Sequence, residues 1–333
     1  MNSGQFRRLT AFLALPVFLF TVIGLSPAAA RDLRIASYNV SKIGTTAGDS
    51  TERIFRGLEP DVALLQEWDL EEEWYYRPYV DGAFGADFDF YLGDAPAAAT
   101  GWKQNNGIVS RWTILTSGSW DNFTDTPRSS FAWAEIDLPG DTDLLAVSVH
   151  MAAAEGDVAL REAQAGLIRG YVEDYVTGGF TGYVVVGGDL NAQDEFEAQI
   201  DEFETFLVPR GNRPRDRQGN RNTNFGRDRP YDWIMPDAAL EAAHTTLVIG
   251  SGGYEYPNGL VFDSRLFWRE DPPDNPWEVL WNLPPVWYDD SYDQRVDHLA
   301  VMKTFDVLPA LPATPSPTAS VPRCGDRQRR GRR

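Results

Sequence analysis

The chain is poor in cysteine, lysine and histidine, and each shortage narrows what it can be. One cysteine, Cys324, stands among 333 residues, so no intramolecular disulfide can form and no thiolate zinc site can be built. Its position in the last segment also excludes a cysteine nucleophile. No histidine pair has the H-x-x-x-H spacing of a helical zinc site. A G-x-S-x-G elbow is absent, which removes the serine hydrolases built on it. A Walker motif and a G-x-G-x-x-G turn are absent too, which removes the loops that cradle nucleotides. Beyond the N-terminal stretch no run approaches about 18 apolar residues, so nothing else is long enough to span a bilayer.

Positive charge is equally scarce. Three lysines (Lys42, Lys103 and Lys303) leave arginine to supply nearly all of it, and 30 Lys+Arg face 49 Asp+Glu for a net charge of -19. Duplex binding depends on Lys and Arg neutralising phosphates, so this balance weighs against a long nucleic-acid partner. With 43% hydrophobic and 13% aromatic residues, the composition is that of a folded chain.

The two ends differ from the middle. Arg7 and Arg8, the apolar stretch 9–25 and Ala28-Ala29-Ala30 together read as a secretory signal peptide, 1–30, cleaved after Ala30. Cleavage places the product outside the cell or in a periplasm, with no remaining membrane span. Residues 309–322 are rich in Pro, Thr, Ser and Ala, and residues 323–333 hold six Arg and one Asp. This linker and basic tail, 309–333, read as disordered, open at most to weak contact with an anionic surface. Without signal and tail, the body 31–322 carries -26. No composition boundary interrupts 31–308, which reads as a single domain.

Within it, alternating or continuous apolar runs predict strands at 33–40, 62–66, 107–110, 130–138, 144–150, 183–189, near 231–235, 245–249 and 296–302. Asp49 with Glu52 offers a capping box for a short helix ending at Leu58. Leu160, Ala163, Leu167, Ile168, Tyr171, Val172 and Tyr175 have helical spacing, and an acidic amphipathic helix is expected over 194–207. Strands outnumber helices, and helices fall between pairs of strands. Two packed sheets flanked by helices fit this better than one doubly wound sheet, making the chain α/β (α+β).

Polar residues recur where the apolar strands stop. Asn39 ends the first strand, Gln66-Glu67 the second, His150 the run VSVH, and Asp189 with Asn191 the run YVVVGGDLN. Asp232 lies in RPYDWIM, and Asp297-His298 opens the last expected strand. A single Asn or Asp there is ordinarily a turn former, and a single histidine a structural one. Six strand ends carrying Asn, Glu, Asp or His present a site on a rigid scaffold instead. Carboxylate and amide oxygens suit a hard cation such as Mg²⁺ that leaves room for phosphate, so the set points to metal-assisted phosphoester hydrolysis.

In order, SYNV (37–40), LLQEW (64–68), NNGIVSR (105–111), VSVHM (147–151), GGDLNA (187–192), RPYDWIM (229–235) and RVDHLAV (295–301) resemble the motifs of the endonuclease/exonuclease/phosphatase superfamily over 33–303. The resemblance implies a four-layer sandwich, two mixed β-sheets face to face with helices outside. It implies Mg²⁺ (or Mn²⁺) held by Glu67 with Asn39 and Asp297. It further implies Asp189 as the group that orients and deprotonates water, Asn191 on the transition-state oxygen, His298 held by Asp232 as an imidazolium, and His150 as a second phosphate contact. Asn106 and Arg229, in two of the motifs, are expected at the substrate.

The family does not fix the substrate. The acidic body favours a small-molecule or lipid head-group phosphoester, and a secreted Mg-dependent endonuclease or exonuclease is the alternative. Arginines at 210, 213, 215, 217, 221, 227 and 229 either line a substrate edge or form a solvated loop balanced by Asp216 and Asp228. Aromatics at 68–79 and 254–292 either hold a ligand or pack long loops onto the sandwich. A catalytically dead binding module is disfavoured because every expected site position is filled.

Overall fold

Leu33 to Asn39 alternate between two faces, and in the computed structural model both faces are covered. The structure describes residues 32–41, 49–70, 73–94, 105–122, 130–268, 279–293 and 295–309. The expected signal peptide, nearly all of the linker and tail with Cys324, Lys42, Lys103 and Trp277 lie outside the described residues.

In chain order the elements are β1 (Leu33–Asn39), α1 (Ser50–Leu58), β2 (Val62–Gln66), α2 (Tyr76–Ala83), β3 (Asp89–Leu92), β4 (Gly107–Ser110), β5 (Ile114–Trp120), β6 (Phe131–Ile136) and β7 (Leu144–His150). They continue with α3 (Val158–Thr177), β8 (Tyr183–Asp189), α4 (Ala198–Glu204), β9 (Asp232–Pro236), α5 (Ala238–Ala242), β10 (His244–Thr245), β11 (Leu247–Ile249), β12 (Tyr254–Tyr256), β13 (Leu260–Val261), α6 (Ser264–Trp268) and β14 (Val301–Phe305). One mixed sheet has the order β10-β14-β1-β2-β4-β3, with β13 also on β14, and the second has the order β5-β6-β7-β8-β9. β1 and β2 run parallel, as do β7 and β8, and the other neighbours are antiparallel.

Three apolar clusters define four layers. Leu33, Ile35, Val62, Leu64 and Ile108 from the first sheet meet Ala134, Ile136, Leu144, Ala146, Val185 and Ile234 from the second. The other face of the first sheet, with Ala36, Tyr38, Ala63 and Leu65, packs on Ile54, Phe55 and Leu58 of α1 and on Tyr76, Tyr79 and Val80 of α2. The other face of the second sheet, with Leu145, Val147, Val184 and Val186, packs on Ile168 and Val172 of α3 and Ile200 and Phe203 of α4. Each such side chain contributes about 1.5–3 kcal/mol of burial. Period two thus sends β1 and β2 side chains alternately to helix and to sheet, as expected for strands covered on both faces.

Local signals explain the helix ends. Asp49 caps α1 by accepting the Glu52 N–H at 2.9 Å, a contact of the kind whose loss costs about 1 kcal/mol. The helix expected over 194–207 shrinks to Ala198–Glu204. The Phe196 N–H turns onto Asp194 Oδ1 at 2.7 Å, and Glu197 is held by a bidentate pair with the buried Arg161, 3.0 Å on each arm. The strand expected near 245–249 divides, with His244–Thr245 on β14 and Leu247–Ile249 pairing with β12. The last strand runs Val301–Phe305 and not 296–302, so Asp297 and His298 precede it. Their segment is drawn aside by Leu299 N to Thr223 O (2.7 Å) and Phe262 N to Ala300 O (2.8 Å).

Both aromatic segments chiefly pack. Trp68, Tyr76, Tyr79, Tyr256, Phe262 and Phe267 are buried, while Trp74 and Trp281 are exposed. No helix among the described residues is long and apolar enough to cross a membrane.

Candidate active site

Residues of the two inner sheet faces are apolar along most of the strands and polar at one end. On β1 the inward series runs Leu33, Ile35, Ser37, Asn39; on β7 it runs Leu144, Ala146, Ser148, His150. The register aligns these ends: Asn39 faces Gln66, His150 faces Asp189, and Asp189 faces Asp232. The two sheets are tied beneath the site by Gln66 Nε2 donating to Ser148 Oγ at 2.9 Å, and that hydroxyl donates to Leu65 O at 2.8 Å.

The backbone of β8 leaves no room for a side chain at Gly188. A Cβ on Gly188, whose φ is +153°, would lie 1.9 Å from Val149 O. Two non-glycine residues of the site adopt left-handed backbone, Glu67 (φ 51°) and Asn191 (φ 50°). Such residues cost about 1–3 kcal/mol and gather where a side chain must be aimed.

Asp189 is the hub. Its Oδ1 accepts the Asn191 N–H at 2.9 Å, and its Oδ2 lies 3.0 Å from Asn39 Nδ2, 3.4 Å from His150 Nε2 and 3.6 Å from His298 Nε2. Asn39 Nδ2 also donates to Glu67 Oε1 at 3.3 Å, and His150 Nε2 is 4.0 Å from that same oxygen. His298 Nδ1 meets Asp232 Oδ2 at 2.8 Å. Asp297 stands at the rim, 65% exposed, with Oδ1 3.9 Å from His298 Nε2. The Asn191 amide donates to Met151 O at 3.1 Å.

Burial pushes the His298 pKa down, but the Asp232 and Asp189 carboxylates outweigh it and hold the ring up at about 10. Burial likewise raises Asp232, against the opposing pull of His298. With its pKa held up at about 10, the His298 ring faces Asp232 as an imidazolium across the neutral range.

The structure thus brings together Asn39, Glu67, His150, Asp189, Asn191, Asp232 and His298, with Asp297 at the edge. Arg229 lies alongside, its Nη1 donating to Gln193 O at 3.3 Å. Asn106 precedes β4 at the Gln66–Glu67 end of β2; it is buried, its amide donates to Ser130 O at 2.6 Å, and its Oδ1 has no partner among the described residues. Sequence reasoning passed over Thr223, which accepts the Asp232 N–H on its hydroxyl (2.8 Å) and the Leu299 N–H on its carbonyl, so joining the two halves of the His–Asp pair. No motif marks it. Four of the seven arginines pair with carboxylates: Arg210 with Asp201 and Glu204 and Arg213 and Arg221 with Glu195, all just upstream, and Arg227 with the expected Asp216.

The donors suit a hard divalent cation. Among the described residues no Lys or Arg pairs with Glu67, Asp189 or Asp297, and the ion-pair partners of these carboxylates are imidazoles. No group of three or more His, Cys, Asp or Glu side chains among the described residues is placed to hold a metal ion by itself, so a cation here would rely on amide oxygen, water and substrate as well. An open set of carboxylate and amide oxygens is what Mg²⁺ uses, because it keeps several waters and the substrate's own oxygens.

No family model and no curated protein matches the chain. Solved structures do. The human Nocturnin catalytic domain with bound sulfate aligns at TM-score 0.54 and 16% identity, over 84% of this chain and 96% of that one. An endonuclease/exonuclease/phosphatase from Beutenbergia cavernae aligns at 0.51 and 17%, over 84% and 73%. The 3' phosphatase NExo from Neisseria, bound to product DNA hairpin, aligns at 0.52 and 15%, over 82% and 99%. The fold is that of the endonuclease/exonuclease/phosphatase proteins.

Proposed function

We propose that the chain is a divalent-metal-dependent phosphoester hydrolase in which water attacks phosphorus directly. The observation that carries this reading is the convergence of Asp189, His298–Asp232, His150 and Glu67 from both sheets on one point. Glu67, with Asn39 and Asp297, would hold Mg²⁺ or Mn²⁺. When bound, the ion would neutralise charge on a phosphate oxygen.

The remaining roles belong to the chain. Asp189 orients the attacking water and takes its proton; the Asn39 amide on its Oδ2 and the Asn191 N–H on its Oδ1 fix the carboxylate's direction. His298 supplies a positive charge that Asp232 keeps in place, matching the negative charge that grows on the phosphate. His150 lies on the opposite side of Asp189 and contacts a second oxygen. Asn191, aimed by its left-handed backbone, donates to a non-bridging oxygen. Arg229, which has no carboxylate partner among the described residues, binds the anionic substrate at the edge.

The substrate reading favours a small-molecule or lipid head-group ester over nucleic acid. Its support is the neutralised arginine segment, which leaves no basic track for a polyanion to lie along. The N-terminal segment directs the chain out of the cytoplasm, to act as a secreted or periplasmic enzyme.

The test is turnover of a panel of phosphate monoesters and diesters with Mg²⁺ or Mn²⁺, with chelator, and with Glu67→Gln. Chelator should abolish hydrolysis, and Glu67→Gln should raise the metal concentration needed for half-maximal rate. Undiminished hydrolysis in chelator sinks the metal role. Plasmid nicking faster than turnover of any small ester would favour the nuclease alternative.

A further inference from the structure

A cleft of about 340 Å³, lined by charged and amide side chains together with Phe196 and Pro230, opens beside the candidate site. Its two walls continue catalytic segments. One wall begins at Gln193, two residues after Asn191, whose carbonyl accepts the Gln193 Nε2–H at 3.2 Å. The other ends at Pro230, two residues before Asp232. Whatever fills the cleft therefore lies next to a phosphate held by Asn191 and His298.

The cleft is built, not incidental. Its floor is Arg213, 94% buried and lying flat on Trp233 with its guanidinium 3.5 Å from the ring centre. Glu195 Oε2 sits between Arg213 Nη1 and Arg221 Nη1, 2.8 Å from each. Asn220 and Asn222 are fixed from behind, both donating to Arg227 O, at 3.2 and 3.1 Å. Phe196 stands at the rim with 74% of its surface exposed.

Charge decides what this cleft prefers. Two arginines, Arg213 and Arg221, face three carboxylates, Asp194, Glu195 and Asp228. A second phosphate or carboxylate would meet a wall with no positive surplus. The hydrogen-bond inventory points the same way. Asn222 Oδ1, Gln193 Oε1 and Glu195 Oε1 are acceptors that no described residue engages, and an anion has no proton to give them. Hydroxyl groups both donate and accept, so they satisfy these acceptors and the spare N–H groups of Arg221 together. A ring with an apolar C–H face would also cover Phe196, the one large apolar surface at the rim.

We infer that this cleft receives an uncharged, hydroxyl-rich part of the substrate, a sugar or similar polyol esterified to the scissile phosphate. The inference rests on the hydrolase reading and names its substrate class. Arg229, on Gln193 O, marks the anionic end of the substrate, and the cleft, with no surplus of positive charge, marks the neutral end.

The experiment compares kcat/KM of the full chain on esters that differ only in the alcohol: glucose monophosphate against phenyl phosphate, and glucosyl against phenyl phosphodiesters. Fructose bisphosphate against fructose monophosphate tests the charge argument. The sugar ester should be preferred by at least about tenfold, and Phe196→Ala and Asn222→Ala should each lower that ratio severalfold, mainly through KM. A ratio unmoved by both variants, or a preference for the bisphosphate, overturns the inference. Calorimetric titration with a non-hydrolysable glucose phosphonate separates the two readings. Saturable binding weakened by both variants, with no ester turned over, supports the cleft and rejects the hydrolase; the absence of such binding rejects the cleft.

Discussion

The seam between the two sheets has an apolar end and a polar end, built from the same strands with the same alternation. Leu33, Ile136 and Leu144 close one end; Asn39, His150 and Asp189 close the other. The apolar end stabilises the fold by excluding water. At the polar end the same inward positions hold charged groups close together, which is costly unless each is paired. The pairing is complete enough to persist: Asp232 with His298, Asp189 with Asn39 and two imidazoles. Stability and chemistry have been separated along the strands rather than between layers.

The sharpest test of that separation is Asp189→Asn. It keeps the shape of the hub and removes its capacity to take a proton, and turnover should fall about 10²–10⁴-fold with little change in thermal unfolding. A near-normal rate would move the base elsewhere. At the other end, Leu144→Ala should cost about 2–5 kcal/mol of stability, read from denaturant midpoints, while KM and kcat of the folded enzyme stay as they were. A rate loss matching that of Asp189→Asn would show that the two ends are not separable.

A finer contrast lies between two histidines. His298 is drawn up by two carboxylates. His244, half-buried with Nε2 lacking a partner among the described residues, is pushed down to about 4 by burial and then by Lys303. The unfolded chain therefore takes up a proton at this ring near pH 6.5, and the folded chain only near 4. The stability that neutral His244 contributes is whole above pH 6.5 and is lost as pH falls toward 4. Unfolding followed across that window should show a slope that His244→Phe reduces; an unchanged slope would assign the acid loss to other groups.

Legibility in the sequence followed the same division. The strand-end residues stood out because continuous apolar runs such as VALLQ and YVVVGGD stop abruptly at a polar group. β5 was missed because ILTSGSW is half-exposed and rich in Ser and Gly, and α2 because Pro78 and Gly82 interrupt it. Asp297-His298 reads as the opening of a strand because VDHLAVM runs into the continuous apolar stretch LAVM; only tertiary bonds to Thr223 and Phe262 pull it out. The arginine segment was readable only in part: Asp216, inside it, does pair with Arg227, whereas Glu195, Asp201 and Glu204, which pair with Arg210, Arg213 and Arg221, lie in the acidic stretch before it. What a strand pattern dictates was readable; what a cross-chain pairing dictates was not.

The route of the chain through the sheets sets an order in time. The second sheet is one uninterrupted stretch, β5 to β9, whereas the first is begun by β1–β4 and finished only by β10, β13 and β14. His298 comes just ahead of that final strand, 66 residues after its partner Asp232. Synthesis or export from the N-terminus delivers Glu67 and Asp189 long before the imidazole that completes them. Until β14 docks on β1, Asp189 has Asn39 and His150 beside it, but Asp232 lacks its imidazole. The last strand to be made is thus also the one that brings His298 to Asp189 and Asp232.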